Sequence, residues 1–206
     1  MSTVLAVLLK APTPAEAKTR LAATLGAEPA AAVYQIMVEK QIRNLPPEFA
    51  ATVYFDPPDA GSAMRRWLSP LRVAPTPLTF RVQPPGDLGV RIAYAFAAEF
   101  ALGATAMIVM GGDCPALDTD VLRRAAAALT THDAVLGPAS DGGYYLLGLR
   151  APAPRVFVDI DWSTPAVLEQ TRARLRAEGL KTLELQPLDD VDDEPALRHA
   201  VRAGLI

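Results

Sequence analysis

Ala106-Met107-Ile108-Val109-Met110-Gly111-Gly112-Asp113-Cys114-Pro115 reads as a buried strand that ends in two glycines and a single carboxylate. Five apolar residues without polar alternation suit a parallel strand covered by helices on both faces. In open α/β sheets ligands sit beyond the carboxyl ends of the strands, and glycine there lets a backbone approach a ligand closely. An aspartate at that point is a hard oxygen donor suited to Mg2+ or Mn2+, which would bridge to phosphate oxygens. Asp113 has a second reading as a cap for the turn and helix that follow.

Outward from this stretch, apolar runs of strand length alternate with helical periodicity, the signature of a mostly parallel sheet between two helical layers. The strands expected are Val4 to Leu9, Ala51 to Phe55, Thr79 to Val82, Ala106 to Met110 and Ala134 to Leu136, with later edge strands near Tyr144 to Leu149 and Thr182 to Leu185. Apolar spacings of three and four predict helices over Pro29 to Asn44, Gly89 to Leu102, Asp118 to Leu129, Pro165 to Glu178 and Glu194 to Ala203. Asp118 or Thr119, and Ser163 or Thr164, are candidate helix caps, and Gly103 and Gly179 mark helix ends. The 19 prolines gather between these elements, and no repeat or low-complexity tract divides the 206 residues, so a single three-layer α/β/α domain over 1–206 is expected.

Composition narrows the function. A net charge of -3 argues against a broad nucleic-acid surface, which needs clustered Lys and Arg. The apolar run after Met1 lacks a basic leader and is too short to span a bilayer, and one cysteine cannot form an internal disulfide, so a cytoplasmic setting is expected. Half the residues are hydrophobic, enough for one large core. Surface apolar positions are compatible with a homodimer but cannot be told from ordinary exposed residues.

Four further segments carry chemistry. Gly137-Pro138-Ala139-Ser140-Asp141-Gly142-Gly143-Tyr144-Tyr145 again follows an apolar strand. Asp141 could complete a metal site or hold a substrate hydroxyl, or the segment is a turn joining two strands. In the loop after the first strand, Lys10, Lys18 and Arg20 form an anion cradle by composition, Lys as a compact charge and Arg as a planar fork; the same residues read alternatively as a solvated basic face. It is no Walker loop. Gln83-Pro84-Pro85-Gly86-Asp87-Leu88-Gly89-Val90-Arg91 ends a strand and opens a helix, so its amides suit an anion or a base edge, unless Asp87 is only an N-cap. The run Asp189, Asp190, Asp192, Asp193 and Glu194 is mostly solvated helix-start charge, with room for one member to face a metal. Cys114 reads as a packed thiol, His132 and His199 as surface residues, and Trp162 as a core plug or a pocket cover.

Lys18-Thr19-Arg20-Leu21, Gly86-Asp87-Leu88-Gly89-x-Arg91, Gly112-Asp113-Cys114-Pro115, Asp141-Gly142-Gly143-Tyr144-Tyr145, Trp162-Ser163-Thr164 and Asp190-Val191-Asp192 occur in one order. Together they closely resemble the bacterial glycosyltransferase-A-like family described as selenodomain- or arsenosugar-associated transferases, and more distantly the 2-phospholactate and molybdenum-cofactor guanylyltransferases. The resemblance implies a nucleotide-diphospho-sugar transferase fold, with Asp113 as the metal and nucleotide-phosphate aspartate and Asp141 as a substrate or second metal contact. It further implies Lys18 and Arg20 as phosphate contacts and Gly86 to Arg91 as part of the nucleotide pocket, with Lys10 and Gly112 beside them. Asp113, Lys18 and Asp141 are then the candidate catalytic residues and Mg2+ or Mn2+ the cofactor. The ligands implied are a nucleotide or nucleotide-sugar and a small-molecule acceptor. Two departures stand out: a single aspartate where many glycosyltransferases have Asp-x-Asp, and no Gly-Gly-x-Gly-x-Arg loop as in many nucleotidyltransferases. Glycosyl transfer from a nucleotide-sugar is the leading expectation. Nucleotidyl transfer and nucleotide binding without turnover are the alternatives.

Overall fold

The computed structural model describes residues 2–14 and 18–206; Met1 and residues 15–17 of the basic loop lie outside the described residues. In chain order the elements are β1 (Thr3–Lys10), α1 (Thr19–Leu25), α2 (Ala27–Asn44), β2 (Ala50–Asp56), α3 (Gly61–Leu68), β3 (Thr79–Val82), α4 (Leu88–Ala101) and β4 (Ala106–Met110). They continue as α5 (Thr119–Ala128), β5 (Ala134–Pro138), β6 (Tyr144–Leu149), α6 (Val167–Ala177), β7 (Thr182–Glu184) and α7 (Glu194–Arg202).

The seven strands form one sheet in the order β3-β2-β1-β4-β6-β5-β7. Within it β3, β2, β1 and β4 pair in parallel, β6 pairs antiparallel with both β4 and β5, and β7 pairs in parallel with β5. Every residue of β4 is buried, as its unbroken apolar run requires.

Alternation along the strands divides the core into two layers. Leu5, Val7 and Leu9 of β1 face one side, where they join Met37, Val38 and Ile42 of α2, Met64 and Leu68 of α3 and Leu122 of α5. Ala6 of β1, Met107 and Val109 of β4 and Leu147 of β6 face the other, against Ile92 and Phe96 of α4 and Leu175 of α6. The result is the expected α/β/α sandwich. Gaps between elements fall where the prolines gather.

Three features differ from the sequence reading. Tyr144–Leu149 is no edge strand: β6 lies inside the sheet between β4 and β5, because a short hairpin turn brings it back beside its predecessor with both faces covered. Two helices, α1 and α3, form where no helix is expected from the sequence, and the first puts Arg20 on α1 and not in a loop. Neither Ser163 nor Thr164 caps α6, whose N-cap is Ala166 without a side-chain bond. Thr164 Oγ1 instead accepts from Ala166 N at 3.3 Å, one turn before the helix. The other caps follow the sequence: Asp87, Asp118 and Asp193 each accept from a backbone N–H three residues on. Each such cap contributes on the order of 1 kcal/mol.

The chain order runs outward from β1 to β2 and β3 on one side and crosses to β4 on the other, so β1 and β4 flank a topological switch point. In such sheets a crevice opens at the switch point, beyond the carboxyl ends of the strands.

Candidate active site

A cleft of about 1000 Å³ opens at that point. Of the residues singled out in the sequence, Lys10, Lys18, Arg20, Gly86, Arg91, Gly112, Asp113 and Asp141 line it. Two do not. Asp87 turns its carboxylate onto Val90 N at 2.9 Å as the α4 cap, and Gly89 lies under the Trp162 indole.

Asp113 leaves β4 at the floor of the cleft. It caps no helix, since α5 is capped by Asp118, and its carboxylate instead receives Lys18 Nζ at 3.0 Å. Lys18 also donates to Asp192 at 2.6 Å, and the other oxygen of Asp192 accepts from Arg20 at 3.0 Å. The Lys18 side chain is only 7% exposed although it lies in a polar cleft. Its backbone adopts φ 52° and ψ 55°, the left-handed region that non-glycine residues seldom visit. Such strain persists only where the surroundings over-determine it, here through two carboxylates that converge on one ammonium.

Burial opposes the charge on Lys18, but Asp113 and then Asp192 outweigh it, so its pKa lies above the ordinary lysine value. Burial likewise works against the Asp192 carboxylate, and Lys18 with Arg20 overcomes it, so Asp192 is held below the usual carboxylate range.

Asp190 is different. Its Oδ1 is sealed from solvent and has no hydrogen-bond partner among the described residues. Burial first, then the neighbouring Asp113 charge, push its carboxyl well above the ordinary range. The loop that carries it is pinned to β4, for Val191 N donates to Asp113 O at 2.9 Å and Val191 is buried. Asp190 and Asp192 therefore flank an apolar anchor, and both line the cleft.

A second cluster closes the β2–β3 side. Arg91 of α4 donates through Nη1 to Asp56 at 3.2 Å and to Gln83 Oε1 at 3.1 Å, and through Nε to Gly86 O at 3.2 Å. Gln83 Nε2 in turn donates to Leu9 O and Tyr54 O, both at 2.9 Å. The carboxyl ends of β1, β2 and β3 are thus tied to the first turn of α4. Tyr34 of α2 completes this wall by donating its hydroxyl to Lys10 O at 3.2 Å.

The far wall comes from the β5–β6 turn and the segment before α6. Asp141 is exposed and accepts from Gly143 N at 2.9 Å, so the Ser-Asp-Gly-Gly stretch is indeed a hairpin turn, set on the rim of the cleft. Trp162 is half-buried and packs both on the α4 side of the core and at the cleft wall, which joins the two roles read for it. Ser163 beside it has φ 64°, another left-handed non-glycine residue. Cys114 is buried in the core, where burial pushes its thiol up beyond the reach of ordinary pH.

Sequence reasoning did not select Asp56 or Tyr34, named Gln83 only as the opening residue of its segment, and did not choose among the acids of the run that holds Asp190 and Asp192. For the last two a signal existed: one valine inside an acidic run marks where that run touches the core.

This fold is that of the nucleotide-diphospho-sugar transferases. The chain superposes with a TM-score of 0.91 and 30% identity on a solved structure from Desulfovibrio desulfuricans G20, provisionally assigned as a nucleotide-diphospho-sugar transferase, with 98% of this chain and 87% of that one covered. The chain belongs to the family described as uncharacterized proteins conserved in bacteria (DUF2064), which matches residues 44–164. More distant likenesses show the fold alone. CMP:2-keto-3-deoxy-manno-octonic acid synthetase complexed with CTP matches at TM-score 0.59 and 12% identity, covering 100% of this chain and 98% of that one. Rv0371c of Mycobacterium tuberculosis H37Rv in complex with manganese matches at 0.54 and 15%, covering 98% and 100%. No curated protein matches the chain by sequence. Among the described residues no helix is long and apolar enough to cross a membrane.

Proposed function

We propose that this protein is a metal-dependent transferase that takes a glycosyl group from a nucleotide-sugar to a small-molecule acceptor. The observation that supports this reading most is the convergence of Asp113, Lys18, Arg20 and the unpartnered Asp190 at the switch-point cleft. Cations and a free carboxylate oxygen placed side by side suit a diphosphate together with a divalent ion.

The residues fit such an ion. Asp113 and the partnerless Oδ1 of Asp190 are hard oxygen donors of the kind that hold Mg2+ or Mn2+ through one or two carboxylates, with phosphate oxygens and water completing the shell. Asp113 and Asp190 would hold the ion, with Asp141 on the rim near enough to add to the charge that Asp190 feels. When bound, the ion would supply Lewis-acid stabilisation of charge on the diphosphate.

The protein's own groups do the rest. Lys18 and Arg20 meet the negative charge that grows on the diphosphate as the bond between the sugar's anomeric carbon and the phosphate oxygen breaks. The acceptor hydroxyl forms the new bond to that carbon, and its proton passes to solvent or to a basic group on the acceptor side. The Arg91–Gln83–Asp56 cluster fixes the wall against which the nucleoside would lie, and Trp162 with Tyr144 lines the other half of the cleft.

Nucleotidyl transfer is the second reading. It is favoured by the placement of Lys18 and Arg20 beside Asp113, which serves the α-phosphate of a nucleoside triphosphate equally well. Pyrophosphate release would mark it.

The test is a thermal-shift titration with a panel of nucleotide-sugars and nucleoside triphosphates, with and without Mg2+ or Mn2+. A metal-dependent rise in the midpoint for a nucleotide-sugar is expected, on the order of 2.7 kcal/mol of added stability at a hundredfold excess over Kd. A rise confined to triphosphates would move the reading to nucleotidyl transfer, and no rise for any ligand would remove the nucleotide.

Asp190→Asn supplies a separate check. It removes a buried carboxyl without a partner that the metal-free fold tolerates only by raising its pKa well above the ordinary range, so the metal-free protein should gain about 1 kcal/mol at neutral pH and melt about 2–4 °C higher. The metal-dependent part of the nucleotide shift should disappear in the same variant. Functional sites commonly trade stability in this way.

A further inference from the structure

We propose that Lys18 is a resident cation that holds Asp113 in the ligand-free protein and must swing away before a divalent ion can share that carboxylate. The inference rests on the reading of Asp113 as metal-facing and adds the order of events at the site. One ammonium bridges two carboxylates, at 3.0 Å to Asp113 and 2.6 Å to Asp192, from a side chain almost wholly withdrawn from solvent. Asp192 keeps a second partner in Arg20 at 3.0 Å, so Asp192 does not depend on Lys18 for its compensation. Asp113 has no other cation within ion-pair distance among the described residues. The strained φ of 52° at Lys18 shows that its backbone is held in an unfavourable state while this bridge is made.

A lysine ammonium and a divalent ion cannot sit side by side on one carboxylate without repulsion that grows as water is excluded. Something must draw Lys18 off, and the diphosphate of the incoming nucleotide is the group with the charge and the hydrogen-bond acceptors to do so. Metal and diphosphate binding are therefore coupled through one side chain. The ion alone binds weakly, and it binds well once an anion has recruited Lys18. By reciprocity the diphosphate also binds better with the ion present. Lys18 thereby keeps Asp113 neutralised between turnovers.

The experiment is Mn2+ titration of the full chain, followed by the loss of the free-ion electron paramagnetic resonance signal and by thermal midpoint. It compares wild type, Lys18→Met and Lys18→Met/Asp113→Asn, each with and without inorganic pyrophosphate. The expected result is a Kd for Mn2+ alone at least tenfold lower in Lys18→Met than in wild type. The midpoint should also rise with Mn2+ alone only in that variant, and the gain should vanish in the double variant. Pyrophosphate should tighten Mn2+ binding in wild type and much less in Lys18→Met. Should Lys18→Met fail to fold, Lys18→Gln keeps a donor for both carboxylates without the charge and carries the same comparison. Equal or weaker Mn2+ binding by the variant, with wild type binding the ion, would overturn the inference and leave the metal reading standing. No binding of Mn2+ by either protein at millimolar concentrations, with or without pyrophosphate, would overturn both.

Discussion

Replacing Asp113 by Asn is expected to lower turnover by roughly 10²–10³-fold, the scale of losing one group that stabilises transition-state charge, while the ligand-free midpoint moves by no more than a few degrees. Two observations separate these effects. Asp113 holds up no secondary structure through its side chain: α5 is capped by Asp118, and the tie to the Asp190–Asp192 loop uses the Asp113 backbone carbonyl, which Asn retains. Lys18, freed on one side, keeps Asp192 at 2.6 Å. What the substitution removes is the one carboxylate that stands at the end of β4 over the switch point. The check is steady-state turnover with the nucleotide-sugar found by thermal shift, beside the melting curve of the same preparation. A fall of ten degrees or more in the midpoint would instead make Asp113 a structural residue and would weaken the site assignment.

Gly142→Ala is expected to have the largest effect on stability. Gly142 has φ +89°, where an L side chain is strained, and a Cβ there would lie 2.3 Å from Pro165 O and 2.8 Å from Pro165 Cα. Those are backbone atoms and cannot turn aside as a flexible side chain would. Gly142 O also accepts from Leu168 N at 2.9 Å, so moving the turn would disturb the first turn of α6 as well. Strain and forced overpacking together cost about 3 kcal/mol, which lowers the midpoint of a chain of this length by about 6–12 °C. Gly179→Ala is the internal control. It shares a positive φ, +65°, but nothing lies within 4 Å of its added Cβ, so it should lose only about 1 kcal/mol. Equal midpoints for the two variants would show that the close approach of the β5–β6 turn to Pro165 is not maintained in solution.

The sequence was most legible where one local pattern carried the answer. The run into Asp113 announced a buried strand with its carboxyl end on the ligand side, and Asp87, Asp118 and the acidic run before α7 announced helix starts. Legibility ended where the answer depended on pairing. Tyr144–Leu149 comes late in the chain and reads as an edge strand, whereas a tight Gly-containing hairpin inserts it between β4 and β5. Helix α1 is seven residues long and broken from α2 by Gly26 at φ 92°, so its Leu21 and Leu25 spacing was too brief to stand out. Helix α3 offers only Met64 and Leu68 as buried positions and has no capping side chain. In the site, the cations and Asp113 could be named from composition, but the choice of Asp190 and Asp192 from five neighbouring acids needed the contact between Val191 and Asp113. Gln83 and Arg91 belong to one short segment, but their partner Asp56 comes from the end of β2, and no spacing rule connects it to them.

The reversed direction of β6 decides how the two walls of the cleft are distributed along the chain. Its hairpin returns the chain to the sheet without a crossover helix, so the far wall, from the Asp141 turn through Trp162 to Pro165, comes from one continuous stretch of sequence. The opposite wall is drawn from β1, α1, α2, the ends of β2 and β3, and α4, and so is distributed over the first half of the chain. The two ends of that stretch, the Asp141 turn and residues 162–165, lie outside the buried body of β6, so one short piece of chain shapes one wall without touching the other.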